Sequence, residues 1–352
     1  MSWPGWLRVG LALPLLGLNA FVLKRVLVQF APFPVLFLTA ALIAFLLDLP
    51  CRWLMARGFS RSLSIAAVVL VSVGLLVFAA VALVPLLIEQ LSQLISAAPS
   101  LLAAAEQLIN RGQAWAVDRG LPADFADLSS DLVTQLSRVV TQLSQRLLAI
   151  LGATVGTTIN TVIVLVLAVF LLLGGDSITQ GLARWLPERW RDLVITTLER
   201  TFRGYFAGQV VLALILSAGQ LVVFSVLNIP YGVLFAVLIG FTTLIPYASA
   251  ITIVLVSAIL GIQDPRTGLE LLVAAILVGQ VVDQVIQPRL MGSIVGLQPA
   301  WLLISLPLGA RIGAINGLGE LLGLLLAVPV ASCIKSLADA MQQESPPATA
   351  GR

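Results

Sequence analysis

Between Arg61 and Glu89 the chain places no charged residue at all. As a helix rising about 1.5 Å per residue, that stretch is about 40 Å long, enough to cross a hydrocarbon core of roughly 30 Å with tilt. Several further apolar runs follow. They account for 59% hydrophobic against 11% charged residues, where a soluble domain carries about 25% charged. The expected fold class is all-α: a polytopic integral membrane protein of six to eight membrane segments. No His is present and only Cys51 and Cys333 supply thiols. Histidine triads, histidine proton relays and tetrahedral thiolate or imidazole metal sites are therefore excluded, as is a disulfide scaffold. No metal or cofactor is expected.

The first apolar segment opens at Val9 and continues to about Val28, with Lys24 and Arg25 snorkelling. It lacks a convincing small-x-small cleavage site and many spans follow, so it reads as a span rather than a signal peptide. The second span is Pro32–Leu49, followed by a basic loop, Cys51–Arg61; the third runs from Ser62 to about Ile88. Glu89–Arg146 is too charged for lipid. Its Leu128, Leu132, Leu136, Val139, Leu143 and Leu147 recur at helical spacing, and Arg119-Gly120-Leu121-Pro122 breaks it into two helices. The reading is a small extramembrane helical subdomain over residues 89–147. It separates N-terminal spans (1–88) from a C-terminal membrane domain (148–338), which a disordered tail (339–352) follows.

The fourth span is Gly152–Leu173, and a polar connection, Gly174–Arg203, carries five arginines. This connection and the Arg52–Arg61 loop hold the densest short-loop Arg, so the positive-inside rule puts both in the cytoplasm, with both termini also cytoplasmic. Lys24-Arg25 on the outer side runs against that rule. The net charge of +3 is then a topology signal, with no basic run to suggest nucleic acid. The fifth span is Gly204 to about Leu227, with Gln209 and Gln220 three turns apart on one face.

Two later segments are too long for single spans. Val233–Ile262 is interrupted at Thr242–Tyr247, and Trp301–Ile334 at the glycine-rich Gly309–Gly323. Both read as broken or re-entrant helical hairpins, tolerated at membrane depth only beside protein or water. Between them Gln263–Gly268 reads as a loop and Leu269–Ile286 as a helix. Eight crossings, or six plus two hairpins, both fit; the hairpin version also puts Arg289 inside.

Gln280, Asp283, Gln284 and Gln287, spaced by three and four, fall on one face of that helix. A carboxylate and three amides are costly toward lipid, so a cavity or partner helix should face them; alternatively Asp283 sits in the interface and caps or pairs with Arg289. Thr243, Pro246 and Tyr247 mark the first break, where Pro frees a carbonyl and Thr242, Thr243 and Ser249 add oxygens suited to a small polar solute or cation. A plain proline kink with its hydroxyls bonded back is the other reading. Arg311 and Glu320 are the charges of the last segment, among Gly309, Gly313 and Gly323, which allow a tight reversal. They pair with each other or with Asp283, or one binds a charged solute. No phosphate loop, HExxH or nucleophile elbow is visible, so no enzyme is expected.

Three motifs in this order resemble the autoinducer-2 exporter family over about residues 10–338. Asn228-Ile229-Pro230-Tyr231-Gly232 with Leu244-Ile245-Pro246-Tyr247 is similar to its G-V-P-Y and I-P-Y-V-G pair. Asp283-Gln284-Val285-Ile286-Gln287-Pro288, then Leu297-Gln298-Pro299, resembles its D-N-x-x-x-P and L-H-P. Gly309-Ala310-Arg311-Ile312-Gly313 and Gly323–Pro329 resemble its glycine-rich last element. Gln284 stands where Asn is usual, Gln298 where His is, and Ser249 where Gly is. The resemblance implies a homopentamer with two hairpins per protomer and an elevator-type motion, exporting a small polar signal of quorum sensing. Some relatives resemble sodium(lithium)/proton antiporters.

From these readings the chain is expected to be a secondary transporter of the plasma (inner) membrane, moving a small polar solute by alternating access. A cation/proton antiporter is the alternative within that class. A non-transporting scaffold, or a permease subunit coupled to an ATPase through Gly174–Arg203, is the alternative outside it. Expected partners are the solute or ion, the lipid bilayer and further copies of the chain, with no nucleic acid.

Overall fold

A computed structural model describes residues 32–119, 154–184, 188–291, 299–316 and 318–344. Among them every regular element is helical: α1 (Pro32–Ala56), α2 (Arg61–Phe78), α3 (Val84–Ser96), α4 (Ala98–Asp118), α5 (Thr154–Ala183), α6 (Glu188–Val226), α7 (Gly232–Thr242), α8 (Ala248–Gln263), α9 (Pro265–Val281), α10 (Gln287–Met291), α11 (Pro299–Ile315) and α12 (Glu320–Glu344). Among the described residues five stretches are long and apolar enough to cross a membrane: Phe33–Ala56, Arg61–Ser96, Arg191–Val226, Pro265–Leu290 and Glu320–Leu337. Large apolar side chains stand out from them, Leu70 at 76% and Val226 at 73% exposure among them. In water such a surface would aggregate; in a bilayer it is the lipid face. The chain is a multi-pass α-helical membrane protein.

Two turns of π-helix interrupt otherwise continuous helices, and both have one cause. The turns Ala79–Leu83 and Val282–Ile286 each end one residue before the residue preceding a proline, Pro85 or Pro288. Proline has no N–H for the carbonyl four residues back, and its ring crowds that carbonyl. The helix widens instead, and Val84 N–H and Gln287 N–H reach back five residues to the carbonyls of Ala79 and Val282.

Several boundaries differ from the sequence reading. The third span's helix runs past Ile88 to Ser96, because Glu89 and Gln90 are good helix formers and nothing stops it before Ala97 and Pro99. The polar connection Gly174–Arg203 is mostly helix, since α5 carries on to Ala183 and α6 starts at Glu188; Arg and Glu favour helix whether or not lipid surrounds them. The loop at Gln263–Gly268 shrinks to one non-helical residue, Asp264. Its carboxylate accepts from Arg266 N–H (3.1 Å), Thr267 N–H (3.2 Å) and the Thr267 hydroxyl (2.5 Å), with Pro265 at the first helical position. The Thr267 hydroxyl, followed by these amides and Arg266, holds the Asp264 carboxyl below the usual carboxylate range. The first span, the amphipathic stripe over 128–147, Gly152 and Ala153 at the start of the fourth span, Leu297 and Gln298 of the second motif, and the end of the tail lie outside the described residues.

The chain divides into two compact units: Met1–Leu46, Asn160–Glu199 and Gly296–Arg352, and Leu47–Ile159 with Arg200–Val295. In the first, Ala40 and Ala44 of α1 bury against Val164 and Ala168 of α5, small residues that let the helices approach. In the second, the end of α1 is tied to α6 at Asp48, whose Oδ2 takes both Arg203 (2.8 Å) and Arg52 (2.8 Å). Arg57 stacks on Trp53 at 3.6 Å from the ring centroid. α4 packs on α8, burying Leu101 and Ala105, and α3 packs on α7.

Candidate functional site

The second unit contains the first hairpin. α6 ends in a left-handed Asn228, with Ile229 N–H closing back on the Phe224 carbonyl at 2.9 Å. Pro230 and Tyr231 then start α7. After Thr242 the chain turns through Thr243–Tyr247 and returns as α8, packed on α7. At 11 and 16 residues, the arms reach about 16 and 24 Å, short of a core of roughly 30 Å. The sequence reading of a broken segment holds here.

Ile-Pro-Tyr-small occurs twice, at Ile229–Gly232 and Ile245–Ala248, and both tyrosines sit left-handed at a helix start: Tyr231 at φ 57° and Tyr247 at φ 66°. A bulky L-residue there is disfavoured by about 1–2 kcal/mol. Two instances of one motif in one strained geometry mark these turns as built features.

What holds the hairpin comes from outside it. Gln209 of α6, 6% exposed, donates through Nε2 toward the carbonyls of Thr243 (3.3 Å) and Leu244 (3.5 Å) and the Tyr205 hydroxyl (3.4 Å). Both carbonyls lie in the turn just past the end of α7, where the helix ladder no longer supplies donors. One turn earlier Gly240 lies flush on α6, where a Cβ would come within 2.5 Å of Ser217 Cβ and 2.9 Å of the Ala213 carbonyl. At the other end of α7, Leu234 N–H donates to Gln90 Oε1 of α3 at 2.8 Å. Gln220, fully buried, donates to the Ala275 carbonyl at 3.0 Å, while its Oε1 has no partner among the described residues. The shared face of Gln209 and Gln220, legible in the sequence, thus grips the hairpin turn at one end and α9 at the other. Gln90 gave no sequence signal beyond being an amide where a span ends.

Asp264 makes α8 and α9 antiparallel neighbours, in contact at Gly261 and Gly268, where a Cβ on Gly268 would lie 2.4 Å from Gly261 Cα. Gln280 stands as far beyond Asp264 as Ala248 stands before it. The turn carrying Thr243, Pro246 and Tyr247 and the stripe Gln280, Asp283, Gln284 and Gln287 therefore share one end of the α8–α9 pair.

The stripe differs from its expected form in two ways. The π-turn spans Asp283 and Gln284, so the simple three-and-four spacing no longer sets their directions. All four side chains are exposed on the chain, and none has a partner among the described residues, Arg289 included. No described helix of the chain covers them. The expected threonine lining is also altered: Thr242 Oγ1 donates to Leu238 and Ile239 carbonyls, and Thr243 Oγ1 to Ile239, which commits both protons. Tyr247 is half exposed and Pro246 half buried.

Arg311, Gly309, Gly313 and Gly323 belong to the other unit, in a second hairpin formed by α11 and α12. Its arms meet at the backbone: a Cβ on Gly323 would fall 2.1 Å from the Gly309 carbonyl oxygen, and one on Gly313 would fall 2.4 Å from the Gly319 carbonyl. Gly319, at φ +83°, turns the chain, and its N–H bonds the Gly313 carbonyl at 3.1 Å. Within this unit Arg311 and Glu320 do not pair with each other among the described residues, and both are exposed. α12 is long enough to span, so this hairpin has one full-length arm.

The sequence profile of the AI-2E family transporters matches residues 11–343. Two proteins of Synechocystis sp. are similar over 96% of this chain. One, named "Putative transport protein sll0060", is 32% identical with 98% of its own length covered. The other, "Putative transport protein sll0063", is 34% identical with 85% covered. "Putative transport protein YueF" of Bacillus subtilis is 24% identical over 90% of this chain and 88% of its own length. Two hairpins, the paired Ile-Pro-Tyr turns and a match over nearly the whole length lead to one conclusion: the chain belongs to the AI-2E family of transporters.

Proposed function

We propose that the protein is a secondary transporter of the plasma membrane that exports a small polar solute of the autoinducer-2 kind by alternating access. The observation that supports this best is the shared end of α8 and α9. There a proline-tyrosine turn with carbonyls and the Gln280–Gln287 stripe lie at one level, within segments otherwise apolar enough for lipid. Polar groups inside a membrane domain persist where water or a solute meets them. Thr243, Pro246, Tyr247, Gln280, Asp283, Gln284 and Gln287 are the proposed lining. Separately, the second hairpin carries Arg311 as a cation on its own glycine-packed element with Gly309, Gly313 and Gly323, a second proposed solute-contacting group. Exposure of the stripe on a lone chain fits a homo-oligomer, or a water-filled path, as its cover.

A second reading rests on Asp283, an acidic side chain within a candidate span. There the protein exchanges sodium or lithium for protons, with this carboxylate titrating. Purified protein in liposomes separates the readings. Saturable autoinducer-2 flux that falls at least about tenfold in Asp283→Ala and in Pro246→Leu supports export. Flux of lithium driven by a proton gradient and lost in Asp283→Asn supports exchange. Both fluxes unchanged in all three variants would remove the site assignment.

A further inference from the structure

Along the outside of the second unit, α6 and α9 leave an open groove of about 610 Å³. Val222, Val226 and Leu227 form one wall; Leu269, Val273 and Leu277 form the other. The walls are apolar throughout, apart from Glu270 at one end. From Leu269 to Val278 the groove follows α9 for about 14 Å, close to half of a hydrocarbon core of roughly 30 Å, the depth of one leaflet.

The mouth is polar. Glu270 Oε1 accepts Arg266 Nε at 2.8 Å, and the Arg266 side chain is 85% exposed, so its two terminal nitrogens point to open space. Asp264 stands two residues before Arg266, and α6 ends beside Leu227, bringing the partial negative charge of its last carbonyls. Two carboxylates and a helix C-terminus against one guanidinium leave the mouth negative. A purely anionic headgroup fits it poorly. A headgroup with both a phosphate, for the Arg266 fork, and a primary ammonium, for Glu270 and Asp264, fits both signs.

We propose that this groove is a binding site for a zwitterionic phospholipid with an ammonium headgroup, one acyl chain lying between α6 and α9. The site holds α6, which carries Gln209 and Gln220, against α9 from the lipid side.

Native mass spectrometry of the detergent-purified full chain, equilibrated with phosphatidylethanolamine and phosphatidylglycerol of identical acyl chains, tests it. The wild type is expected to retain phosphatidylethanolamine over phosphatidylglycerol by about fivefold. Glu270→Gln, nearly isosteric and at the surface, should erase or reverse that preference, because it frees Arg266. Leu277→Trp, at a residue 62% exposed, should fill the groove and lower retention of both lipids. Equal retention by the wild type, or a preference unchanged in Glu270→Gln, overturns the proposal. So does a Leu277→Trp variant that retains lipid but loses multimers, which would give the groove to a second copy of the chain.

Discussion

The two hairpins reverse the chain over comparable lengths, yet they are held by different means. α11 and α12 are locked to each other through Gly309, Gly313 and Gly323, whose missing side chains let backbone meet backbone, with Gly319 turning the chain between them at positive φ. α7 and α8 are packed together, but the hairpin is held by neighbours: Gln209 and the Gly240 contact on α6 at its turn, and Gln90 on α3 at the start of α7. A hairpin closed by its own backbone moves as one body. A hairpin seated by long contacts to other helices can be released by breaking those contacts, which suits it to be the moving element of the proposed alternating access.

Substitutions that attack the glycine lock should have the largest effect. Gly323→Ala places a methyl inside the Gly309 carbonyl and should cost about 3 kcal/mol, seen as a lowered Tm in detergent. Gly279→Ala and Gly74→Ala meet nothing within 4 Å. They should leave Tm unchanged or raise it slightly, since Ala favours helix over Gly by about 1 kcal/mol. Equal losses at all three positions would deny the lock.

Next in size is the clamp. Gln209→Leu keeps the volume and removes the donor, leaving the Thr243 and Leu244 carbonyls unanswered, for roughly 2 kcal/mol. Hydrogen exchange should speed up in residues 243–248 and stay unchanged in α11 and α12. Uniform acceleration would mean that Gln209 is merely part of a common core.

The strained turn should respond with the opposite sign. Tyr247→Gly relieves the left-handed conformation and should raise Tm by an amount equivalent to about 1 kcal/mol, where Tyr247→Ala, still an L-residue, gains nothing. If both variants destabilise alike, the ring and not the backbone is what the position needs.

The smallest effect concerns Asp264, the hinge between α8 and α9. Its carboxyl is depressed by the Thr267 hydroxyl first and by two backbone amides. Its contribution is therefore complete above the ordinary carboxylate range and is lost as pH falls through its lowered value. Asp264→Asn keeps an acceptor but cannot titrate, so the variant's Tm should be flatter than the wild type's on the acid side.

The architecture was legible because apolar run length states it almost directly: helices where the runs are continuous, breaks where Pro246 and the glycines interrupt them. Helix ends were less legible. Lipid exposure limits the apolar run, but the helix continues for as long as Glu, Gln and Arg allow, as at Ser96 and Glu188. Asp283's neighbourhood was misread in one respect, since an idealised helical wheel cannot show that Pro288 converts the preceding turn to π-helix. Gln209 was visible as an amide on an apolar face, but its target was not, because the carbonyls it meets are 34 and 35 residues away along the chain. The repeated Ile-Pro-Tyr was in plain view, and only the backbone angles show why it repeats.

The stripe that runs from α9 through the π-turn into α10 is central: it should meet water within the membrane domain. Both native thiols, Cys51 and Cys333, are buried, so single cysteines can be placed in a background where these are serine. In reconstituted vesicles, cysteines at Gln280, Asp283, Gln284 and Gln287 should react with a membrane-impermeant maleimide, and those at Val273, Leu277 and Val281 should not. Silence at all four stripe positions, or equal reaction along the whole helix, would contradict the account.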